Sequence, residues 1–225
     1  MKTIGMRCLR VFCAILSVIL LSGSLLSCDL MDKLGFDTHD YMGEEIIASH
    51  NTDGETAEKL LPVLSILVTD SVFLPEFENM SQSIDAYRDA VLRQMLKFGY
   101  SKYSGNRELI EKAAEVYPEY QITQIIPADD FEAAMYEYFG GDVKITHRDG
   151  VFFKYLKKVE AYISSIVPTE SGIVPHILSI DETAKTYRVR FRLSAADGME
   201  KDYFTLIIKR EDGTYYFKKL MLEEG

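Results

Sequence analysis

The chain has no tryptophan, three cysteines and four histidines among 225 residues, and its 25 basic side chains are outnumbered by 35 acidic ones. Each shortage removes a class of function. Sugar-stacking platforms commonly expose tryptophan. Here most of the 14 tyrosines and 12 phenylalanines fall on apolar stripes, so they read as core rather than as a carbohydrate surface. There is no basic run and no basic–aromatic signature, and an acidic chain is repelled by nucleic acid, which is therefore excluded as a partner. His39, His50, His147 and His176 include no pair four residues apart, the spacing that puts two imidazoles on one helix face. No metal site and no cofactor is expected. Asn51-Thr52-Asp53-Gly54 mimics the middle of a calcium loop, but Ser49 and Leu60 stand where the first and last ligands belong. A helix start with Thr52 and Glu55 as a capping pair explains these residues without metal.

Long apolar runs are also scarce, and the clearest one lies at the beginning. Lys2, Arg7 and Arg10 give a positive start with no acidic residue before Asp29, and Val11 to Leu21 is apolar apart from Ser17. Ser22-Gly23-Ser24 then leads into Leu25-Leu26-Ser27-Cys28. Charged start, apolar middle and small-residue end make a secretory signal, and the apolar stretch is shorter than the about 20 residues a spanning helix needs. The last four residues resemble the bacterial lipoprotein box. That resemblance implies diacylglycerol on the Cys28 thiol, cleavage between Ser27 and Cys28, often an acyl chain such as palmitate on the new N-terminus, and a lipid-anchored place on the extracytoplasmic face of the cell membrane. Asp29 is similar to the inner-membrane retention signal of Gram-negative lipoproteins, and has no such meaning in a single-membrane cell. With Cys8 and Cys13 in the discarded leader and Cys28 lipidated, a disulfide, a thiolate zinc site and a cysteine nucleophile are all excluded. Loss of the leader leaves 22 basic against 35 acidic residues, a net charge of −13.

The expected plan is a signal over 1–27, a lipidated cysteine and tether over 28–40, and one α+β domain over 41–225. Residues 41–140 read as mainly helical. Leu60, Leu61, Leu64, Leu67 and Val68 recur at helical spacing, as do Ile84, Tyr87, Val91, Met95 and Phe98, the second stripe ending near Gly99. A shorter helix carries Leu109, Ala113 and Val116, Tyr120 to Ile126 looks extended, and Pro127-Ala128-Asp129-Asp130 opens a helix closed by Gly140-Gly141. Residues 141–225 read as mainly antiparallel sheet. Tyr155 to Ile166 is open between helix and strand. Strands are predicted at Ile173–Ile180, Thr186–Leu193, Asp202–Arg210 and Thr214–Met221, with Asp197-Gly198 and Asp212-Gly213 as hairpin turns. The fold class is therefore α+β, with N-terminal helices packed on a four- to five-stranded antiparallel meander. The order is similar to a cystatin-like or nuclear-transport-factor-like roll. Ile126-Pro127, Tyr138-Phe139-Gly140, and Asp212-Gly213 followed by Tyr215 and Phe217 also resemble a family of uncharacterised lipoproteins from Gram-positive gut-type bacteria, over roughly the last hundred residues. That family implies a fold and no activity.

Catalytic signatures are missing. There is no Gly-x-Ser-x-Gly elbow and no Ser-x-x-Lys pair. His147-Arg148-Asp149 echoes the protein-kinase catalytic loop, but Lys154 occupies the place of its metal-holding asparagine, and the triplet reads as a turn ending at Gly150. The candidate ligand surface is the alternation of Arg188, Arg190 and Arg192 with apolar neighbours, a face expected to include Lys209 and Tyr203 on the next strand and to suit an anionic small molecule. The competing account is a solvated sheet face whose arginines pair with the domain's own acids. Two functions follow. One is a non-catalytic binding or interaction module for a protein, peptide or anionic small molecule. The other is an enzyme with acid–base residues drawn from His147, Asp149, His176 and Tyr203 in a roll pocket. An envelope assembly or spacer role is the third reading.

Overall fold

A computed structural model describes residues 40–68, 71–141, 145–164 and 172–223. The leader, Cys28 and His39 lie outside these residues, as do the unassigned stretches at 142–144 and 165–171. The first half of the domain contributes β1 (Ala48–His50), α1 (Glu55–Leu64), α2 (Met80–Ser104) and α3 (Arg107–Val116). After these come β2 (Ile125–Pro127), α4 (Ala128–Phe139), β3 (Lys154–Leu156) and β4 (Ala161–Ile163). The last four strands are β5 (Val174–Glu182), β6 (Thr186–Ser194), β7 (Glu200–Lys209) and β8 (Tyr215–Leu222).

Alternation in β5 to β8 produces the predicted meander. Its strands pair antiparallel in the order β5-β6-β7-β8, and β1 adds a fifth strand beside β5 through Ser49 opposite Asp181. The two Asp-Gly turns place Gly198 at φ 84° and Gly213 at φ 82°, a left-handed backbone that a side chain would strain. One face of this sheet carries Ile180, Val189, Phe191, Leu193, Ile207, Phe217 and Leu220, all buried against α1, α2 and α4. Phe77, Tyr87, Phe139 and Phe217 meet with ring centroids 5.5 to 5.9 Å apart, edge-to-face or tilted packing that adds to simple burial. The fold is α+β, with helices on one face of an antiparallel sheet. The free edge of β8 is closed by the segment before α2, where Phe77 and Leu220 exchange backbone hydrogen bonds.

A second, three-stranded antiparallel sheet in the order β2-β4-β3 has its own small core of Ala113, Ile125, Leu156, Val159, Ala161 and Ile163. It resolves the open stretch from Tyr155. Residues 154–163 are a short hairpin with a four-residue turn, neither a helix nor one long strand. Three helix expectations also shift. The first helix begins at Glu55 with Gly54 as its N-cap and no side-chain cap, so Thr52 does not form the capping box. It ends at Leu64, before Leu67 and Val68. The second helix continues through a kink at Gly99 (φ −112°, ψ 22°) to Ser104, and Phe98 is 77% exposed rather than on the buried stripe. α4 starts directly after Pro127, with Asp129 and Asp130 in its first turn, and ends at Gly140, as the local sequence predicts.

Candidate functional site

The expected arginine face comes apart on register. In an antiparallel pair, directly opposed residues point to the same side. Arg188, Arg190 and Arg192 oppose Leu206, Phe204 and Asp202, whereas Tyr203 opposes Phe191. Tyr203 is therefore on the core face, only 1% exposed, its ring stacked on Phe191 at 5.6 Å. Its hydroxyl donates to the Val72 carbonyl and accepts from the Leu74 N–H, both at 2.8 Å. Lys209 shares the odd-numbered parity of Tyr203. Its ammonium lies 5.0 Å over the Tyr187 ring, 2.8 Å from Glu182 Oε1, and donates to the Thr183 carbonyl. The reading of Tyr203 and Lys209 as partners of the arginines is thus corrected by a single step in register.

The arginines themselves are paired within the domain. Arg192 makes a bidentate contact with Asp202 at 2.6 and 2.8 Å and reaches Glu200 at 3.0 Å; the guanidinium holds the Asp202 carboxyl below its ordinary range. Arg190 meets Glu223 at 2.8 Å, and Arg188 donates to the Glu44 carbonyl at 2.8 Å. His176 is exposed on β5 opposite Arg192. His50 bridges Glu182 (2.6 Å) and Thr56 (3.1 Å) at the β1 edge.

The densest polar construction lies around the small sheet. Arg88 is on α2 in line with Ile84, Val91 and Met95, and is 2% exposed. Its Nη2 donates to Asp85 Oδ1 at 2.8 Å and to the Thr146 carbonyl at 3.0 Å. Asp85 also holds Arg148 at 2.7 Å. One turn on, the Asp89 carboxylate accepts from the Val151 and Phe152 N–H groups at 2.9 and 3.0 Å. A Cβ at Gly150 would lie 2.5 Å from that carboxylate, so only glycine allows this approach. The loop 146–152 is thereby clamped along one face of α2.

His147 supplies the other side of the clamp. Its Nε2 is 2.8 Å from Glu132 Oε1 on α4, and its Nδ1 is 3.0 Å from the Tyr162 hydroxyl on β4. A carboxylate only accepts, so in the neutral ring these partners put the hydrogen on Nε2 and leave Nδ1 to accept from the phenol. Burial pushes Tyr162 up to about 12, with the Arg88 guanidinium and the Arg148 backbone N–H opposing that rise. The phenol is a firm donor. Tyr155 stacks on the imidazole at 4.9 Å. Asp149 is likewise engaged, accepting from the Tyr155 N–H at 2.9 Å. Of the four residues proposed for acid–base work, His147 and Asp149 share this loop, while His176 and Tyr203 belong to opposite faces of the large sheet.

The clamped loop forms part of a cleft of about 620 Å³. Glu119, Tyr120, Gln121 and Thr123 line it before β2, residues 149–154 line it from the clamped loop into β3, and Ile163 and Ser164 line it at the end of β4. Lys154 Nζ sits 5.1 Å over the Tyr120 ring; its hydrogen bond to Tyr120, with the Asp149 and Glu119 carboxylates nearby, raises its pKa. Arg93 covers one face of Phe152 at 4.9 Å. Phe152 is 44% exposed and Val151 83%, so the tied loop presents two adjacent apolar side chains to solvent.

Arg88, Asp89, Glu132 and Tyr162 were not among the candidates read from sequence. One signal was present, a charged residue at position 88 within an apolar helical stripe; the others meet only through the tertiary fold. Among the described residues no three His, Cys, Asp or Glu side chains gather as a metal-holding group, and no helix is long and apolar enough to cross a membrane. Fold and site together define an α+β domain that presents a cleft walled by a polar-clamped loop. No family model, no curated protein and no solved structure matches this chain.

Proposed function

We propose that this chain is a lipid-anchored extracytoplasmic lipoprotein, tethered through Cys28, whose domain is a non-catalytic binding module with the cleft beside loop 149–153 as its ligand site. The tether rests on the leader and its lipoprotein-box cysteine. One observation carries the binding reading: Val151 and Phe152 are adjacent, exposed and line a cleft, and their N–H groups are tied to Asp89 so that the loop is held in place without a ligand. Pre-ordering a binding loop lowers the entropy lost when a ligand docks.

The two parts separate experimentally. The full chain expressed in a bacterium fed labelled palmitate is expected to carry the label and to lose its leader, and Cys28→Ser should abolish both. For the site, the full chain is screened by ligand-observed NMR against a small-molecule extract of the cell envelope. Signals abolished by Phe152→Ala and kept by an Arg188, Arg190 and Arg192→Ser triple variant support the cleft. The opposite pattern returns the site to the arginine face.

A further inference from the structure

The chemistry lining the cleft restricts what it can hold, and the restriction deepens the reading above, on which it rests. An anionic ligand would face the Glu119 and Asp149 carboxylates in a domain that is acidic overall. A cationic ligand would find its place taken, because the Lys154 ammonium already lies over Tyr120 with those two carboxylates nearby. A wholly apolar ligand would strip water from Glu119, Gln121, Thr123 and Asp149 without replacing their hydrogen bonds.

What remains is a neutral molecule carrying many groups that both donate and accept, together with an apolar face. Hydroxyls meet the first requirement, since each can donate to a carboxylate and accept from an amide or ammonium. A ring face of C–H groups meets the second, against the exposed part of Phe152. A cleft of about 620 Å³ lies within the usual range for small-ligand sites. We propose that the cleft binds a neutral, hydroxyl-rich ligand, a short oligosaccharide segment stacked on Phe152 and hydrogen-bonded by Glu119, Gln121 and Asp149. This revises the expectation that the aromatics serve only as core. Tyr120, Phe152 and the buried Phe153 line the cleft, and of these Phe152 presents the exposed ring.

The test is calorimetric titration of the full chain in a sugar-free zwitterionic detergent. The probes are maltotriose, cellotriose, mannotriose, xylotriose and the N-acetylglucosamine trimer, with spermidine and trilysine as cationic comparators. At least one trisaccharide is expected to bind. Its affinity should fall tenfold or more in Phe152→Ala and less in Glu119→Gln, and hold in Arg190→Ser; circular dichroism checks that each variant is folded. A Phe152-dependent response to spermidine or trilysine alone overturns the sugar assignment and leaves the cleft as a site. Silence from every trisaccharide also overturns it, and the envelope-extract screen then tells whether the cleft reading has fallen with it. Binding that survives Phe152→Ala overturns the placement.

Discussion

On the outer face of the five-stranded sheet, Arg192 meets Asp202 directly across the β6–β7 pair, while Arg188 reaches back to the Glu44 carbonyl and Arg190 to Glu223. Around the three-stranded sheet, polar side chains from two helices and a strand converge on one loop. Arg88 holds Thr146, Asp89 holds Val151 and Phe152, and His147 joins α4 to β4. The first arrangement solvates a face that the sheet would expose in any case. The second fixes a loop whose tip shows apolar residues to solvent. Within the clamp, losing a partner of the buried Arg88 or of the part-buried His147–Tyr162 pair costs desolvation. The Asp89 bonds to the Val151 and Phe152 N–H groups, by contrast, are exposed and act on the position of the loop more than on stability. The difference indicates where this fold has placed rigidity that its core does not require.

The largest effect belongs to the large sheet's inner face. Phe191 is fully buried and stacked on Tyr203. Phe191→Ala should cost about 3–5 kcal/mol, the range for deleting a buried aromatic, read as a lower denaturation midpoint at unchanged slope. Val151→Ala, at a site 83% exposed, should leave the midpoint within about 0.5 kcal/mol. Equal losses at the two positions would mean that Val151 packs in the folded protein after all, and the contrast between core and cleft would not stand.

The clamp should respond less in stability and more locally. Tyr162→Phe removes the donor to His147 Nδ1, and leaves the Arg148 N–H without its acceptor, at about 1–3 kcal/mol. Hydrogen exchange at Val151 and Phe152 should quicken beyond what the global loss explains, because their loop would keep only its α2 side. The same phenol shapes the alkaline limb. Free tyrosine titrates at 10.0 and Tyr162 at about 12, so from pH 10 upward the unfolded chain sheds its proton first. Stability from this group is complete below pH 10 and is lost as pH rises through 12. Tyr187, raised to about 12 by burial and then by Glu182, adds a parallel contribution. Tyr162→Phe should therefore make the decline between pH 10 and 12 shallower without abolishing it, and an unchanged slope would remove Tyr162 from the account.

The same contrast decides what could be read from the chain beforehand. The four meander strands were legible because Tyr187, Val189, Phe191 and Leu193 alternate with arginines between Asp-Gly turns, a local pattern with one structural solution. Register was not legible. A shift of one residue exchanges the faces of β7, and nothing local to Tyr203 or Lys209 distinguishes the two. The small sheet escaped because its strands are three residues each, too short for a period to show. His147 drew attention through a resemblance that failed, yet it stands at the centre of the clamp, since its partners Glu132 and Tyr162 are each 15 residues away on either side.

The smallest effect sharpens the comparison from the other side. Arg190 is 59% exposed and makes its ion pair with Glu223 near the end of β8, so Arg190→Ser should change stability by no more than about 1 kcal/mol. Arg192→Ser should cost somewhat more, because the bidentate fork on Asp202 is fixed in geometry at both ends. Its clearer mark is on acid stability. With Arg192 present the Asp202 carboxyl titrates below its ordinary 3.8, so the folded state keeps an ionised group that the unfolded chain has begun to protonate. That contribution is present above the unfolded value and is lost as pH falls through the folded one. Arg192→Ser should therefore flatten the acid limb below about pH 4. An acid limb unchanged in Arg192→Ser would detach the Asp202 carboxyl from that fork, and the distinction drawn between the two sheets would then rest on the clamp alone.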